Sequence, residues 1–368
     1  MAETYRVGVI GRTGHGDYGH GVDEVWKEFP NTPIVAVADD NKMGLAAAAT
    51  RLQVDRTYLD YRKMLDEVKP DIVAICPRWL DKHHEMAMEA ARRGMHIFME
   101  KPFCPTLAEA DDIIATCERT HSRLAIAHPT RYSPRLQSAR QLIEDGKIGK
   151  VLEYRGRGKE DQRGGGEDLW VLGTHVMDMI RALAGHPEWC FALVTQEGEP
   201  VTAKHVVQGN EGIGRLAGDA IRASYGLANG ATAYFSSYRG AAGRPSRYAL
   251  QIYGSRGVIE ILEGTMPEVR YLGDPGWSPG RSGAKWQPVT TGGIDQPEPL
   301  TDPIFNSRHG LAVRDLLEAI EQQREPACGM YEARGATEMI VAVFESHRQR
   351  RPVPLPLVNR QDPLAMLG

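Results

Sequence analysis

Short apolar segments alternate with helix-like segments along the first third of the chain. The apolar segments are Tyr5–Gly11, Ile34–Asp40, Asp71–Cys76, His96–Met99 and Leu124–Ala127. Helical spacing of apolar residues is found at Gly21–Phe29, Lys42–Leu52, Tyr61–Val68, Lys82–Arg93 and Leu107–Thr120. Near-continuous apolar strands separated by helices are typical of a parallel sheet covered on both faces. We therefore predict an α/β domain built on a doubly wound parallel sheet, with its ligand beyond the carboxyl ends of the strands.

The segment after the first strand is rich in glycine, with five glycines in the eleven residues from Gly11 to Gly21. Glycine permits positive φ and lets backbone amides approach a pyrophosphate. The spacing departs from G-x-G-x-x-G, because Thr13 holds the second glycine position although Gly16 is in place. We interpret Gly11, Arg12, Thr13, Gly14 and Gly16 as a dinucleotide turn with a short insertion. The alternative is a flexible surface loop.

Two acidic residues, Asp39 and Asp40, end the second apolar segment, and Asp39 follows Gly11 by 28 positions. A carboxylate here accepts hydrogen bonds from the ribose of the adenosine half of NAD. No arginine follows directly to bind a 2′-phosphate, so the sequence favours NAD over NADP, although Lys42 is close.

Composition limits the partners. The chain has 368 residues, 42% of them hydrophobic, so two globular domains are expected. The net charge of −4 argues against nucleic-acid or anionic-membrane binding, and favours small molecules. With no leader-like start and no apolar run of about 18 residues, we expect a cytoplasmic protein. The five scattered cysteines lack CxxC spacing, so neither disulfides nor a metal site is predicted.

Several motifs together resemble one family. In order along the chain they are the glycine turn, CPRWLDKH at Cys76–His83, GMHIFMEKPF at Gly94–Phe103, RYSP at Arg131–Pro134, LIEDGKIGKV at Leu142–Val151, GGG followed by GTHVMD within Gly164–Asp178, and SHRQRRPVPLP at Ser346–Pro356. Their order and spacing resemble those of the glucose-fructose oxidoreductase/inositol dehydrogenase (Gfo/Idh/MocA) family. Only Lys204–Gly218 and Gly264–Pro299 fall outside the resemblance.

The resemblance gives roles to residues of the first domain, which is then a Rossmann domain over residues 1–127. Glu100 would approach the nicotinamide ribose, and Lys101 would lie beside the carbon that loses hydride, where its ammonium assists removal of the hydroxyl proton. The bond before Pro102 is often cis in the family. Cys76, Pro77 and His83 are placed near the cofactor, although a histidine at a helix start is often solvated.

Residues 128–368 show a different alternation, with strand-like segments separated by turn signals such as Ala228-Asn229-Gly230. We predict an α+β domain with an open, mainly antiparallel sheet that serves substrate binding and oligomerisation. One helix is predicted from Asp168 to Leu183, and Ile304–Arg324 and Tyr331–Arg350 form two more that, by resemblance, pack on the first domain. The active site is then expected between the domains.

The helix after the triple glycine places Thr174, His175, Asp178 and Arg181 on one face. By resemblance His175 is the acid/base that exchanges the substrate hydroxyl proton. The family commonly has an aspartate four residues earlier, whereas this chain has Val171. The proton relay then either lacks a member or recruits Asp168 or Glu167.

The candidate substrate-binding residues can each be interpreted in more than one way. Arg155, Arg157 and Arg163 lie on or after one strand, and they either bind an anionic substrate group or form a solvated face. Trp170 either stacks on a sugar ring or packs in the core. Arg131 and Tyr132 match the family's position at the mouth of the site.

The resulting hypothesis is an NAD-dependent oxidoreductase acting on a hydroxyl carbon of a sugar, cyclitol or related polyol. A second possibility retains NAD and cleaves or isomerises a glycoside through a transient keto-sugar, and a third is a non-catalytic cofactor-binding sensor. A homodimer or homotetramer joined through the exposed sheet face is expected. The Pro/Gly-rich segment Gly264–Pro299 is left open between a lid, a partner contact and a surface loop.

Overall fold

The computed structural model describes residues 3–368, and the chain divides into two compact units. The first unit contains the chain up to His128 together with Asn210–Gly214 and Pro303–Arg334. The second contains Pro129–Gly209, Arg215–Asp302 and Gly335–Gly368. The first unit is therefore assembled from three separate stretches of chain.

The first unit contains a six-stranded parallel sheet. Its strands are β1 (Val7–Ile10), β2 (Ile34–Ala38), β3 (Thr57–Tyr58), β4 (Ile72–Ile75), β5 (His96–Met99) and β6 (Leu124–Ile126), in the order β3-β2-β1-β4-β5-β6. The helices are α1 (Lys42–Leu52), α2 (Tyr61–Val68), α3 (His83–Arg92) and α4 (Leu107–Thr120). The reversal of strand order beside β1 confirms the doubly wound sheet.

Side-chain caps explain where these helices begin. Asn41 accepts hydrogen bonds from the amides of Met43 and Gly44 at α1, and Asp60 accepts one from Arg62 at α2. At α4, Thr106 accepts from the amide of Glu109. Each cap satisfies an amide that the helix itself leaves without a partner.

The helix predicted over Gly21–Phe29 is wrong. The structure has a single 3-10 turn there, Val25–Glu28, with Val25 and Trp26 buried. Gly21 has φ +90 and offers no side-chain cap, and Pro30 keeps Phe29 extended at φ −119, ψ 118. Too few residues remain between the two for a stable α-helix.

The second unit is built on an eleven-stranded sheet. Its strands are β7 (Val151–Arg157), β8 (Pro187–Gln196), β9 (Glu199–Pro200), β12 (Ala220–Leu227), β13 (Thr232–Tyr238), β14 (Leu250–Gly254), β15 (Gly257–Ile261), β16 (Val269–Leu272), β17 (Gln287–Thr290), β18 (Gly293–Ile294) and β19 (Val353–Pro354), while β10 (Val207–Gln208) and β11 (Arg215–Leu216) form a separate pair. The pair β7–β13 is parallel and the other pairings of the large sheet are antiparallel. The predicted mainly antiparallel sheet is confirmed.

The segment Gly264–Pro299, which the sequence left open, supplies β16, β17 and β18 and so extends the sheet at one edge. Between β16 and β17 lies a short helix over Pro279–Ser282. Trp277 donates its indole N–H to the carbonyl of Gly254 at 2.8 Å, which ties this extension to β14. The segment is thus part of the sheet.

The remaining helices are α5 (Pro134–Glu144), α6 (Gly166–Val171), α7 (Gly173–Ala184), α8 (Pro279–Ser282), α9 (Gly310–Glu321) and α10 (Met330–Gln349). The helix predicted over Asp168–Leu183 is divided, because the chain breaks at Leu172 into α6 and α7. The predicted Ile304–Arg324 helix is likewise shorter, with a 3-10 turn at Pro303–Asn306 before α9. Within the first unit, α9 packs on the Val25–Glu28 turn and on β6.

Candidate active site

The glycine-rich loop of the first unit folds back on itself. The amides of Arg12 and Asp17 each donate to the other's carbonyl, at 3.1 and 3.0 Å. Gly14 and Gly16 have φ values of +85 and +90, which other residues rarely adopt. A Cβ at Gly16 would collide with the backbone of Arg78, just after β4. Glycine is required here because the loop touches the end of the neighbouring strand.

Asp39, the acid at the end of β2, is buried and already hydrogen-bonded. Its carboxylate accepts from the Thr13 amide at 3.2 and 3.1 Å, from the Thr13 hydroxyl at 2.6 Å and from the Asn41 amide at 2.9 Å. The loop therefore connects directly to the residue expected to bind the adenosine ribose. Thr13, which replaces a glycine of the motif, makes this connection.

A cavity of about 280 Å³ opens beside these residues, at the lower end of the size range of small-molecule sites. It is lined by the ends of β1 and β2, by residues 59–62 and by the start of α3. Arg12 lines it and donates to both carboxylate oxygens of Asp81, at 2.9 and 2.7 Å, and lies 3.8 Å from Asp40. The Arg12 guanidinium is therefore paired with carboxylates on both sides.

At the end of β5, Glu100 is buried and surrounded by donors. One oxygen accepts from the His20 amide at 3.0 Å and lies 2.8 Å from His20 Nδ1, and the other accepts from the Lys101 amide at 3.0 Å. Burial by itself raises the pKa of Glu100, but the His20 hydrogen bond and the charge of Lys101 outweigh it and lower the pKa to about 2. The carboxylate is thus ionised at neutral pH. Lys101 is also buried, and the Lys101–Pro102 bond is cis.

His309, directly before α9, lies in the same region of the first unit. It is buried, its ring meets Phe98 edge to face at 5.8 Å, and burial lowers its pKa to about 4 against the opposing influence of Glu100. The sequence analysis missed both His20 and His309. His20 could have been suspected from its place in the glycine loop, whereas nothing in the sequence connects His309 with Glu100.

His83 and Cys76 have structural partners. The ring nitrogens of His83 lie 2.7 Å from the carbonyl oxygens of Pro102 and Pro77, so this fully buried residue joins the segments that follow β5 and β4. The Cys76 thiol donates to the Ala74 carbonyl at 3.5 Å, and burial raises its pKa well above the usual value. Their predicted roles near the cofactor stay predictions.

In the second unit, Asp168 anchors the turn that leads into α6. It is fully buried and accepts from the amides of Lys159 and Glu160 at 3.2 and 3.0 Å and from the Ser237 hydroxyl at 2.5 Å. A Cβ at Gly158 would collide with the same carboxylate. These bonds favour a structural role over the catalytic role considered for Asp168.

Helix α7 carries His175 close to the sheet. Gly156 of β7 permits this, because a Cβ there would collide with Val176 of α7. Thr174, His175, Asp178 and Arg181 are buried. Arg131, from the 3-10 turn Pro129–Tyr132, donates to the Asp178 carboxylate at 2.8 Å and to its carbonyl at 3.1 Å. Arg131 thus fixes α7, and Tyr132 is half-buried at the end of that turn.

Within the second unit, the ion-pair partner of His175 is Glu263, which is far from α7 in the sequence. Oε1 of Glu263 lies 3.5 Å from Nδ1 of His175. Glu263 follows β15 and stands directly before Gly264–Pro299, which lies outside the family resemblance. No sequence pattern joined these two residues. Val171, at the position of the family aspartate, is buried at the end of α6.

The predicted substrate arginines do not share a face with α7. Tyr154 and Gly156 point to the buried side of β7, so Arg155 and Arg157 point to the other side. Arg155 pairs with Glu153 and stacks over Tyr253, and Arg157 pairs with Glu160. This placement favours the solvated-face alternative for Arg155 and Arg157, and their role in substrate binding stays a prediction. Arg163 pairs with Asp161 and Trp170 is buried in α6, and both stay predictions as substrate residues.

A parallel sheet with a glycine turn, a terminal acid on β2 and a buried Glu-Lys end on β5 is the arrangement of a dinucleotide-binding Rossmann domain. The model of an oxidoreductase family with an NAD-binding Rossmann fold matches residues 5–128, and the model of that family's C-terminal alpha/beta domain matches residues 140–355. The chain belongs to the Gfo/Idh/MocA oxidoreductase family.

Two relatives with named activities are less than 30% identical to the chain. The chain is 28% identical over 249 residues to the levoglucosan dehydrogenase of Pseudarthrobacter phenanthrenivorans, an alignment that covers 61% of this chain and 63% of that protein. It is 27% identical over 284 residues to the myo-inositol 2-dehydrogenase of Thermotoga maritima, covering 74% and 80%. The solved structure of a levoglucosan dehydrogenase in complex with NADH and L-sorbose superposes with a TM-score of 0.75 at 20% identity, covering 97% and 100%, and shows the fold alone.

Within residues 3–368, no helix has the length and apolar character needed to cross a membrane.

Proposed function

We propose that this chain is an NAD-dependent oxidoreductase that oxidises a hydroxyl carbon of a sugar, cyclitol or related polyol. The observation that carries the proposal is the end of β5, where a buried, ionised Glu100 immediately precedes the buried Lys101. Burying two charges is costly, and here the donors around Glu100 and its attraction to Lys101 keep both at the carboxyl end of β5, the edge at which such a sheet binds its ligands. Family membership supplies the reaction class, and the dehydrogenase relatives support a sugar-like substrate.

The first unit fits this cofactor. The glycine loop follows β1, where this fold binds a pyrophosphate, Asp39 ends β2 where a ribose is bound, and Glu100 offers a second charged acceptor. One feature departs from the usual arrangement, because a 3-10 turn and not an α-helix follows the loop. The phosphates would therefore be bound without the dipole of a following α-helix.

NAD, when bound, supplies a nicotinamide carbon that accepts hydride from the substrate. We assign the accompanying proton to Lys101 and His175. The Lys101 ammonium stabilises negative charge that develops on the hydroxyl oxygen, and the imidazole of His175 takes the proton. Glu100 stays charged throughout, because its pKa of about 2 lies far below neutral pH.

We also propose NAD as the preferred form of the cofactor over NADP. Asp39 and Asp40 end β2, and two carboxylates repel a 2′-phosphate. Three cations line the cavity beside these two carboxylates and could offset them, but each is paired. Arg12 is paired with Asp81 and Asp40, and both Arg62 and Lys82 are paired with Glu85.

Association of identical chains is part of the proposal. The outer face of the second unit's sheet exposes the large apolar side chains of Trp189, Phe191 and Leu193 on β8, and Tyr234 on β13 lies level with Phe191 across the strands. An apolar face of this size favours a homodimer or homotetramer. Phe191→Lys should reduce the mass found by sedimentation, whereas an unchanged mass would place the interface elsewhere.

The test of the proposed function begins with the purified protein and no added cofactor. The protein is denatured, and released NAD(H) and NADP(H) are quantified per chain by mass spectrometry. Reduction of added NAD and NADP is then followed with levoglucosan and myo-inositol as probe substrates. We expect reduction of NAD in preference to NADP. Failure of both nucleotides to be retained or to bind would overturn the proposal.

Near-stoichiometric NAD that survives purification, with no net reduction of added NAD, would instead favour the alternative chemistry, in which the cofactor oxidises a sugar carbon transiently and is restored within each cycle. Glycosides are then the probes to use, and release of the free sugar is the readout.

A further inference from the structure

The second unit brings a carboxylate to His175 from a part of the sequence that no family motif identifies. Nδ1 of His175 and Oε1 of Glu263 are 3.5 Å apart. The His175 side chain is 4% exposed and that of Glu263 is 18% exposed. At this distance the two atoms are within ion-pair range and slightly beyond hydrogen-bond length. Such a pair is strengthened by burial, because little water screens it.

The backbone around Glu263 is held in place. The amide of Gly264 donates to the Thr130 hydroxyl at 2.8 Å, and the amide of Leu262 donates to the Glu268 carbonyl at 3.0 Å. Thr130 belongs to the same 3-10 turn as Arg131, which is bonded to Asp178 of α7. Glu263 and the helix that carries His175 are therefore connected through a common turn.

The other charged groups on and around α7 have different partners within the second unit. Asp168 is bonded to Ser237 and to two backbone amides, Asp178 to Arg131, and Arg181 to His186 at 2.7 Å. The sheet residues Arg155 and Arg157 point away from α7. The family position for an acid four residues before His175 is held by the buried Val171.

We propose that Glu263 is the positioning carboxylate of His175 and takes the place of the acid that Val171 lacks. This inference rests on the proposed function. Glu263 orients the Nδ1–H of His175 by accepting a hydrogen bond from it, which fixes the tautomer in which Nε2 is the base. When Nε2 takes the substrate hydroxyl proton, hydride leaves the same carbon to the nicotinamide, a carbonyl forms, and the ring becomes an imidazolium. The Glu263 carboxylate remains ionised and stabilises that cation.

The first test needs no substrate, so it separates this inference from the proposed function. The imidazole nitrogens of 15N-histidine-labelled protein are followed by NMR through a pH titration, and the His175 signal is assigned by its loss in His175→Gln. Removing the carboxylate charge disfavours the imidazolium, so Glu263→Gln should lower the His175 midpoint by about one pH unit. Glu268→Gln, an exposed residue of the same segment paired with Arg270, is the matched control and should leave the midpoint unchanged.

The second test uses turnover with the probe substrates. We expect Glu263→Gln to lower kcat by about 10- to 100-fold while KM for NAD changes by less than about twofold. Glu263→Asp should recover part of the loss, and formate should restore turnover to Glu263→Ala. Recovery by a small carboxylate distinguishes a positioning role from a loss of folding, which thermal melting of each variant checks independently.

An unchanged His175 midpoint in Glu263→Gln would overturn the inference, whatever the activity. A shifted midpoint with normal turnover would also overturn it, because the pair would then be structural. A shifted midpoint in a protein that neither retains nor binds NAD or NADP would confirm the pair and reject the proposed function.

Discussion

The two units hold their buried charges in different ways. In the first, Glu100 accepts from two backbone amides and from His20, and these donors stand after β1 and β5. In the second, His175 on a helix meets the side chain of Glu263 from a segment after β15. In a parallel sheet the carboxyl ends of the strands lie at one edge, so residues that follow different strands meet there. An antiparallel sheet sends successive strand ends to opposite edges, and it gives no such rule.

The two units also differ in how rigidly they hold these charged side chains. The Glu100 carboxylate is held by the His20 ring and by two main-chain amides, and no side-chain substitution removes those amides. The position of His175 depends on how closely α7 approaches β7, which a single glycine permits. We therefore expect substitutions in the first unit to change charge and binding, and substitutions in the second to change geometry as well.

The largest effect is expected for Lys101→Met. Loss of the ammonium leaves the developing oxyanion without its cation, so kcat should fall by about 10³-fold, equivalent to about 4 kcal/mol. NADH affinity, measured by fluorescence titration, should change by less than about threefold. Lys63→Ala, an exposed lysine on α2, is the control. Normal turnover in Lys101→Met would remove Lys101 from the proton chemistry and leave His175 alone.

The second effect concerns pH and the buried His309. Its pKa is about 4 in the folded protein against 6.5 for the ordinary group, because burial disfavours the charged form. The unfolded chain therefore binds more protons between these values, and stability is lost as pH falls from 6.5 to 4, by about 3 kcal/mol. Glu100, with a pKa of about 2, contributes a separate loss below pH 4.5.

His309→Gln should flatten the first of these two losses and leave the second. Melting temperatures measured between pH 7 and pH 4 provide the readout, and His121→Asn is the control, since His121 is exposed at the end of α4 in a left-handed conformation that asparagine tolerates. Equal pH slopes in wild type and His309→Gln would show that His309 is solvated.

These cases show which parts of the molecule could be predicted. The parallel sheet, the acid on β2 and the Glu-Lys end of β5 follow from local patterns that topology brings to one edge. The break between α6 and α7 does not, because apolar residues continue across Leu172, where the two helices meet. The missing helix at Gly21–Phe29 could have been anticipated from Pro30, whose effect on Phe29 is local.

Glu263 could not have been found from the sequence. It is one of many acids in the chain, it stands in a loop, and its relation to His175 exists only after β15 and α7 are placed. The same holds for the face of the β7 arginines, since alternation along a strand shows that Arg155 and Arg157 share a side but not which side is buried.

The third effect is a matched pair of glycines on the first strand of each sheet. Gly156→Ala should destabilise by about 2 kcal/mol, because its Cβ would collide with Val176, whose branched side chain has little rotamer freedom on a helix. Gly8→Ala on β1 should cost about 1 kcal/mol, because its Cβ would meet the Pro70 ring at 2.9 Å and the flexible end of Met64 at 3.3 Å.

Thermal melting gives the stability of both variants, and turnover separates them further. Gly156→Ala displaces α7 and should lower kcat, whereas Gly8→Ala should leave kcat within about twofold of wild type. If both variants keep normal turnover, the position of His175 does not depend on the approach of α7 to β7, and the proposed difference in rigidity between the units is wrong.

The smallest effect is expected for Asp39→Asn. The Asp39 carboxylate already accepts hydrogen bonds from Thr13 and Asn41. The hydroxyls of a bound ribose would replace some of these donors, so the net gain in binding free energy is modest. We therefore expect the Kd for NADH to rise only about five- to tenfold. Removing the charge also removes repulsion of a 2′-phosphate, so the Kd for NADPH should fall or stay unchanged, and the ratio of the two constants is the sharper readout. Asp55→Asn is the control, because Asp55 is an exposed aspartate in the turn before β3. Equal weakening of both nucleotides would mean that Asp39 acts by holding Thr13 and the glycine loop in place, and discrimination between NAD and NADP would then have to come from Arg12 and its partners.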